Sequence, residues 1–487
     1  MSENIKKDEP VKRSIDTLIE DMISEDSLNE KLLKVFPEFV VDKKLSQLQE
    51  IKRLPRFVSE YLLIKFCKDG VTKENLAKLS DFVHKFYPER KEKDRIKTIL
   101  MRFGSYKLLD EFKVETDINR GIQKVWIPCL DIRNARIVES LLYQHENLLI
   151  DGMWGVGNLV YVPDSDTPVL LTEFTPFQIS KLDFNVFLEG RESFSTKEWI
   201  DVLINSVGLN PRNYSDRTKL VLLSRLIPLV ESNVNIVELG PKGTGKTFLF
   251  RNVSYHSRII SGGQITPATL FVNLSTQRLG LLAIKDCIVL DEVSTIQMKY
   301  SFETIGKLKD YMESGNFDRG TKQIQSDTSL IMVGNIPVKD GYPSIEPLFE
   351  VFPTEMRETA FIDRFNGFIP GWELPRIQQS EKHLAKNYGF VSDYFAEILH
   401  ELRKIDFNGY ISKAVQLDNA DIRDEKSIKK IGSGMLKLLS PNGLYSEMDL
   451  RTCMDLAVEY RQRIIDQLHH MAPGEFKAKR LAYRIES

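Results

Sequence analysis

Residues 240–247 have the sequence GPKGTGKT, which matches the GxxxxGK[ST] pattern of a phosphate-binding loop. The apolar segment NIVEL precedes the loop, and TFLFR, a segment predicted to be helical, follows it. Glycines let the backbone N–H groups converge on a phosphate, and the helix N-terminus adds a positive dipole end. We predict that Lys246 contacts the β- and γ-phosphates of ATP and that the Thr247 hydroxyl binds Mg²⁺. The residues predicted to bind the nucleotide are Gly240, Pro241, Lys242, Gly243, Thr244, Gly245, Lys246, Thr247 and Phe248.

A second apolar segment, CIVL at 287–290, ends in two carboxylates. Hydrolysis of a nucleotide needs one acidic group near the Mg²⁺ ion and one that polarises the attacking water. We assign the first role to Asp291, as a metal-site residue, and the second to Glu292. An apolar strand followed by Asp-Glu is common by itself, but its place after a phosphate loop makes the pair informative.

Asn335 and Arg364, further along the chain, are two more candidate residues of a nucleotide site. The apolar segment LIMVGN ends at Asn335, and FIDRF contains Arg364. In ATPases that insert a strand between the two motif strands, a polar residue at this strand end positions the water. Arg364 has the place of an arginine finger, which one subunit donates to its neighbour's nucleotide. The alternatives are a turn-forming Asn335 and a structural ion pair between Asp363 and Arg364.

These motifs, in this order, describe an α/β AAA+ ATPase core. Helical patterns at 57–67 and at 393–404, 424–439 and 448–471 flank it, and β-rich runs separated by turns lie between about 106 and 179. We predict an AAA+ core with a helical lid, preceded by a helical region and a small OB-like β-barrel. The predicted boundaries are 1–30 for a tail and short helix, 31–105 for the helical domain, 106–190 for the barrel, 191–375 for the core and 376–487 for the lid.

Composition limits the class of protein without identifying it. The chain has 487 residues, of which 42% are hydrophobic and 28% charged, as in ordinary globular proteins. It shows no apolar run of about 18 residues and no secretory leader, so we expect a cytoplasmic protein without a membrane partner. Its four cysteines form no CxxC pair, which argues against a zinc site or a disulfide framework. The formal net charge of −2 gives no overall argument for nucleic acid binding.

Two local stretches nevertheless favour DNA as a partner. Residues 84–107 carry eight basic and three acidic side chains, with aromatic residues between them. Residues 312–325 are predicted to form a hairpin with basic residues near its tip. Such groups can follow a phosphate backbone, although a solvated helix face would explain the first stretch equally well. The residues predicted to bind DNA are Lys91, Lys93, Arg95 and Lys97 in the first stretch and Arg319 and Lys322 in the hairpin.

The motifs also resemble known families. A hairpin placed before the Asn335 strand is similar to the pre-sensor hairpin of minichromosome-maintenance helicases and Lon-type ATPases. Over roughly 36–471 the chain resembles the BrxL family, Lon-related proteins of bacterial BREX anti-phage systems. The matching segments are LPRFVSEYLL, LLTEFTPFQISKLD, FLEGRESFSTKEWIDVLINSVGLNP, LIPLVE, GPKGTGKT, SGGQITPATLF, IVLDEV, KDYMESGNFDRG, VGNIP and DRFNGFIPGWELP.

This resemblance implies a hexameric ring, single or stacked, that holds DNA in its central channel and acts in phage restriction with other BREX proteins. Longer family members carry a Lon-protease-like domain after the lid. The residues after Pro375 have the patterns of lid helices, so we expect no protease activity. The sensor-2 residue stays open among Lys429, Lys430 and Arg451.

Two other functions stay open. A protein-remodelling motor would need an aromatic pore loop, for which Phe271 and Phe317 are the candidates. A nucleotide-gated scaffold that recruits other BREX components would turn over little ATP.

Overall fold

The computed structural model describes most of the chain from residue 27 onward. No helix in this part is long and apolar enough to cross a membrane. Most of the tail and short helix predicted for 1–30 lies outside it. The described residues are 27–48, 51–67, 71–117, 121–149, 152–163, 165–177, 182–275, 278–319, 322–377 and 380–486.

A group of helices opens the described chain and packs on the domain that follows. They and one short strand are α1 (27–35), β1 (Val40–Asp42), α2 (Arg56–Phe66), α3 (Lys73–Phe86) and α4 (Lys93–Phe103). Leu62 of α2 and Val83 of α3 share one apolar cluster with Phe177. Ile96 and Leu100 of α4 belong to the core of the next domain. The helix predicted at 57–67 is confirmed as α2.

Five strands then close into a barrel. Its elements are β2 (Ser105–Asp117), β3 (Ile122–Ile127), β4 (Ile132–Ile137), α5 (Glu139–Gln144), β5 (Met153–Tyr161) and β6 (Val169–Pro176). The strand order is β2-β3-β4-β6-β5, and β4 and β6 are parallel. A Cβ atom added at Gly157 would lie 2.6 Å from a ring carbon of Phe112, so the glycine allows the large core side chains to fit. The predicted barrel is confirmed.

An α/β sheet forms the centre of the chain. Its region contains α6 (Phe184–Arg191), α7 (Thr196–Ser206), α8 (Asp216–Ser224), α9 (Ile227–Val230), β7 (Asn235–Gly240), α10 (Lys246–Val253), β8 (Ser257–Ile265), α11 (Pro267–Leu270), β9 (Val272–Asn273), β10 (Arg278–Leu279), β11 (Cys287–Met298), α12 (Ser301–Ser314), β12 (Asn316–Arg319), β13 (Lys322–Gln325), β14 (Ser329–Asn335), β15 (Val338–Lys339), β16 (Tyr342–Pro343), α13 (Thr359–Ile362) and β17 (Gly367–Pro370). The sheet order is β17-β7-β14-β11-β8, with every neighbour parallel. Strand β14 therefore lies between the two motif strands β7 and β11, as predicted. Strands β7 and β14 are almost continuously buried, as expected of strands covered on both faces.

The last part of the chain is mainly helical. It contains α14 (Ser380–His383), β18 (Tyr388–Phe390), α15 (Ser392–Arg403), α16 (Asn408–Ala414), β19 (Val415–Asp418), α17 (Ile422–Leu439), α18 (Glu447–Met471) and β20 (Ala482–Ile485). The three predicted helices are confirmed as α15, α17 and α18, and capping boxes at Asp421 and Ser446 start the last two. A Cβ atom on Gly367 of β17 would lie 2.4 Å from Ile431, so α17 packs directly on the sheet.

A buried charge cluster joins the first and last parts of the described chain. Strand β1 pairs with β18, and beside this pair Glu60 accepts hydrogen bonds from Lys43 at 2.8 Å and Arg56 at 2.8 Å. The backbone N–H of Ser392 donates to the same carboxylate at 2.7 Å. The neighbouring Asp393 is 1% exposed. Burial, with a smaller contribution from the charge of Glu60, raises the pKa of Asp393 to about 7.

This pKa predicts a pH-dependent stability. Between about pH 4 and pH 7, Asp393 is protonated in the folded chain but ionised in the unfolded chain. The free energy of unfolding therefore falls as pH rises through that range. Asparagine resembles the protonated carboxyl and removes the loss. We expect the Tm advantage of Asp393→Asn over the parent to grow between pH 5 and pH 8, by on the order of 2 °C. Asp310→Asn, at an exposed carboxylate of α12, is the control. A Tm difference that stays constant with pH would contradict the assignment.

Candidate nucleotide site

The phosphate loop connects β7 to α10, as the sequence predicts. Gly243 and Gly245 have φ values of +85° and +77°, a region that favours glycine. A Cβ atom at Gly245 would also lie 2.6 Å from Ile377, which crosses over the loop. The buried Lys246 donates from Nζ to the carbonyl oxygens of Gly240 at 3.2 Å and Pro241 at 2.7 Å. Burial lowers the pKa of Lys246, and its Nζ lies inside the curve of the loop.

Thr247, the second residue of α10, contacts the acidic end of β11. The Thr247 hydroxyl donates to Asp291 Oδ2 at 2.6 Å, and Asp291 Oδ1 accepts from the Glu292 N–H at 2.9 Å. Asp291 is 8% exposed. A hydroxyl and a carboxylate side by side offer the oxygen ligands that Mg²⁺ prefers. These two residues therefore fit the predicted metal site, in which they would hold the ion against the nucleotide phosphates.

Glu292 adopts an unusual backbone conformation. Its φ is +53°, a region that non-glycine residues visit mainly in turns or at functional sites. The pairing of β11 with β8 shifts register between Asp291 and Ile296, and Glu292 is exposed. Since Glu292 is exposed and follows Asp291 directly, its carboxylate can reach water at this edge of the sheet.

Asn335 lies at the carboxyl end of β14 and pairs in register with Gly240, the first residue of the phosphate loop. The next N–H, that of Ile336, donates to the Gly240 carbonyl at 3.2 Å. Asn335 therefore ends a strand rather than forming a turn. Its position at the same sheet edge as Asp291 is the one predicted for a residue that positions water.

Arg364 lies away from this edge. It precedes β17 and so lies at the amino end of the sheet, where Nε donates to the Lys309 carbonyl at 2.9 Å and the guanidinium also contacts the Ala360 carbonyl. The alternative ion pair with Asp363 is wrong, because Asp363 accepts from Arg461 at 2.7 Å and from Arg423. The structure does not bring Arg364 to the phosphate loop of its own chain.

Sequence reasoning missed a buried ion pair beneath the phosphate loop. Arg225 donates to Glu238 with Nη2–Oε1 at 2.6 Å and Nε–Oε2 at 2.9 Å. Its Nη1 donates to the Thr244 carbonyl at 3.0 Å, and both charged side chains are fully buried. A glutamate inside the apolar strand NIVELG is the signal that could have found it, because buried carboxylates need a partner.

The predicted hairpin is confirmed. Strands β12 and β13 pair antiparallel, with Arg319 opposite Lys322, and β13 leads into β14. Tip residues 320–321 and the side chains of Arg319 and Lys322 lie outside the described part of the structure.

The basic residues predicted in the N-terminal stretch all have acidic neighbours. The nearest carboxylate oxygens lie 2.6 Å from Lys91, 3.8 Å from Lys93, 2.8 Å from Arg95 and 3.9 Å from Lys97. Surface ion pairs of this kind are weak and exchange with other partners at little cost.

The two aromatic residues considered for a pore loop are in the core. Phe271 and Phe317 are 0% and 2% exposed, and their ring centroids lie 5.3 Å apart. That prediction is wrong, because both rings pack in the apolar cluster on one face of the sheet. Two other aromatic residues of this region are exposed, Tyr300 just before α12 at 66% and Phe302 in its first turn at 96%.

The three sensor-2 candidates have other partners. Lys429 pairs with Glu425, and Arg451 Nη2 lies 3.0 Å from Glu447. Lys430 donates to the Asn233 carbonyl at 2.6 Å. The sensor-2 assignment therefore stays open.

Comparison with known proteins agrees with this geometry. Residues 169–482 match the family model for the Lon-like protease BrxL-like ATPase domain, and residues 34–161 match that for the N-terminal region of the BREX system Lon protease-like protein BrxL. The sheet and its phosphate loop are thus those of a Lon-like ATPase domain. The chain belongs to the BrxL family of BREX phage-defence systems, as the sequence resemblance predicts.

Two curated relatives show the extent of the likeness. The chain is 35% identical over 451 residues to the Lon-like protease BrxL of Escherichia coli O9:H4 (strain HS). It is also 35% identical over 474 residues to the protein of that name from Bacillus cereus (strain H3081.97). The matches cover 90% and 94% of this chain, and 64% and 69% of the two relatives. The chain thus spans about two thirds of the length of these relatives.

The buried pair predicts that Arg225 controls nucleotide affinity. Arg225→Met removes the donor to the Thr244 carbonyl and leaves Glu238 unpaired, a loss of about 3–5 kcal/mol of stability. Arg225→Met with Glu238→Met restores an apolar interior but not the loop contact. We expect both variants to bind an ATP analogue at least about tenfold more weakly than the parent. Only the single variant, Arg225→Met, should have a lower Tm.

Arg217→Met is the control, since Arg217 is also an arginine in ion pairs, with Glu373 and Glu459, but does not contact the loop. Parental affinity in the double variant would show that the pair does not shape the loop.

Proposed function

We propose that this chain is a ring-forming AAA+ ATPase that binds DNA in its central channel and couples ATP turnover to phage restriction. The observation that carries the ATPase part is the Thr247–Asp291 hydrogen bond, which joins the phosphate loop to the acidic strand end. The strand order, with β14 between β7 and β11, supports the same class. The helices α15 to α18 would form the lid, and the barrel order, with a helix between its third and fourth strands, supports an OB-like domain.

In this proposal each residue at the carboxyl edge has one task. Lys246 and the loop N–H groups bind the phosphates of ATP, while Thr247 and Asp291 hold Mg²⁺. Glu292 polarises the water, and Asn335 orients it. These residues leave one requirement unmet, which is a positive charge on the far side of the γ-phosphate.

The roles assigned to Glu292 and Lys246 predict two separable defects. Glu292→Gln keeps the size of the side chain but removes the charge that polarises water, so ATP should bind with parental affinity while hydrolysis falls about 100-fold or more. Lys246→Ala should weaken ATP binding itself. Glu303→Gln, at an exposed glutamate of α12, is the control. Parental turnover by Glu292→Gln would refute its assignment.

Arg364 would supply the missing charge to a neighbouring subunit. Its place at the amino edge of the sheet, away from its own phosphate loop, supports a role between subunits. If so, Arg364→Ala and Lys246→Ala, each inactive alone, should recover part of the ATPase rate when mixed, because some interfaces then contain both groups. Absence of activity at every mixing ratio would favour a structural role through the Lys309 carbonyl contact.

The support for DNA binding is the hairpin β12–β13, which leads directly into the strand ending at Asn335. Six copies around an axis would bring their tips, with Arg319 and Lys322, toward one channel. Such contacts meet phosphates rather than base edges, so they would bind all sequences alike.

Salt dependence tests this placement. Arg319→Ala with Lys322→Ala should weaken DNA affinity for every sequence and flatten the slope of log K against log salt. Neutralising Lys91, Lys93, Arg95 and Lys97 should cause a second, separable loss. Lys339→Ala with Lys413→Ala removes two exposed lysines elsewhere and is the charge-matched control. If both sets of variants keep the parental affinity and slope, DNA does not pass where we place it.

A protein-remodelling motor is the second candidate, supported by the exposed Tyr300 and Phe302. Aromatic side chains at a ring axis could grip a polypeptide. Loss of unfolded-protein-stimulated ATPase in Phe302→Ala, together with parental DNA affinity in the hairpin variant, would favour this function. A nucleotide-gated scaffold would show tight ATP binding with little turnover under either stimulus.

A further inference from the structure

A cluster of metal-ligating side chains lies apart from the nucleotide site. One donor atom each from His256, Asp286 and His400 lies within 4.8 Å of the other two. His400 Nδ1 is 2.7 Å from Asp286 Oδ2, and the two imidazole rings stack with centroids 4.6 Å apart. A fourth group, Glu397, has Oε1 at 3.0 Å from His256 Nε2.

Three separate elements supply these groups. His256 immediately precedes β8, Asp286 immediately precedes β11, and Glu397 and His400 lie one turn apart on α15. The cluster is therefore at the amino ends of the parallel strands, whereas Asp291 and Asn335 are at the carboxyl ends. His256 also lies just after α10, the helix that begins at Lys246, so the cluster is at the foot of the phosphate-loop helix.

We propose that His256, Asp286 and His400 bind a divalent transition metal ion, with zinc as the best match. Two imidazoles and a carboxylate are the donor set of many three-residue zinc sites, with bonds of about 2.0–2.2 Å that place ligand atoms about 3.3–3.5 Å apart. The present separations span that range, so small side-chain movements would admit the ion.

The groups around the cluster fit this role. Glu397 contacts His256 and the Tyr255 hydroxyl, and would hold the imidazole in place, as carboxylates commonly do for metal-bound histidines. Arg403 Nε lies 3.8 Å from Asp286 Oδ1, which leaves Oδ2 to face His400. A bound ion would connect α15 to the two strand starts and so fix the helix against the sheet.

The test uses the full chain, stripped with a chelator and then dialysed against Zn²⁺ in small excess over the chain, with a large excess of Mg²⁺ and no nucleotide. We expect one zinc per chain by elemental analysis. His256→Ala and His400→Ala should each weaken zinc affinity at least about tenfold, whereas His84→Ala, at an exposed histidine of α3, should not. Asp291→Asn should keep the zinc, which separates this site from the nucleotide site.

Two further measurements keep the result interpretable. Zinc should raise the Tm of the parent by about 2–4 °C and leave those of His256→Ala and His400→Ala unchanged. If an alanine variant fails to fold, His256→Gln or His400→Gln, which retains hydrogen bonding, replaces it. Zinc that stays bound with parental affinity in both histidine variants, or a parent that binds less than one equivalent, would overturn the proposal.

Discussion

The hydrogen bond from Thr247 to Asp291 depends on the alignment of three parallel strands. Strands β7 and β11 are not neighbours; β14 separates them and pairs with both. Because all three run parallel, their carboxyl ends meet at one edge, and the phosphate loop, the acidic pair and Asn335 come together there. A slip of one residue in β14 would turn Asn335 away and separate the loop from Asp291.

Two groups of buried charged side chains also hold elements of this region in place. The Arg225–Glu238 pair ties the phosphate loop to the middle of β7, and the cluster around Glu60 ties the first described residues to α15. Buried ion pairs contribute little net stability, but removing one partner is costly. Their effect here is to restrict where the loop and α15 can lie, and α15 packs on α10, the helix that follows the loop.

The sequence was sufficient for the elements whose signal is local. The phosphate loop, the acidic strand end, the order of β14 and the helices α15, α17 and α18 follow from glycine placement, apolar runs and helical periodicity. The errors concern side chains whose environment is set by distant residues. Phe271 and Phe317 are the aromatic candidates for a pore loop, but both rings are buried and pack against each other. The partner of Glu238 is not evident from the sequence, because Glu238 lies on β7 whereas Arg225 lies 13 residues earlier, at the end of α8. His256, Asp286 and His400 are too far apart in the chain for any spacing rule.

The central claim is that Thr247 and Asp291 bind the metal of a nucleotide held by the loop. The most direct measurement is the affinity for ATP with and without Mg²⁺ in the parent and in Thr247→Val, which removes the hydroxyl while keeping the branched shape. The account predicts that Mg²⁺ strengthens binding in the parent, that Thr247→Val loses most of this gain, and that the metal-free affinity is unchanged. A Thr247→Val variant with the full parental response to Mg²⁺ would contradict it.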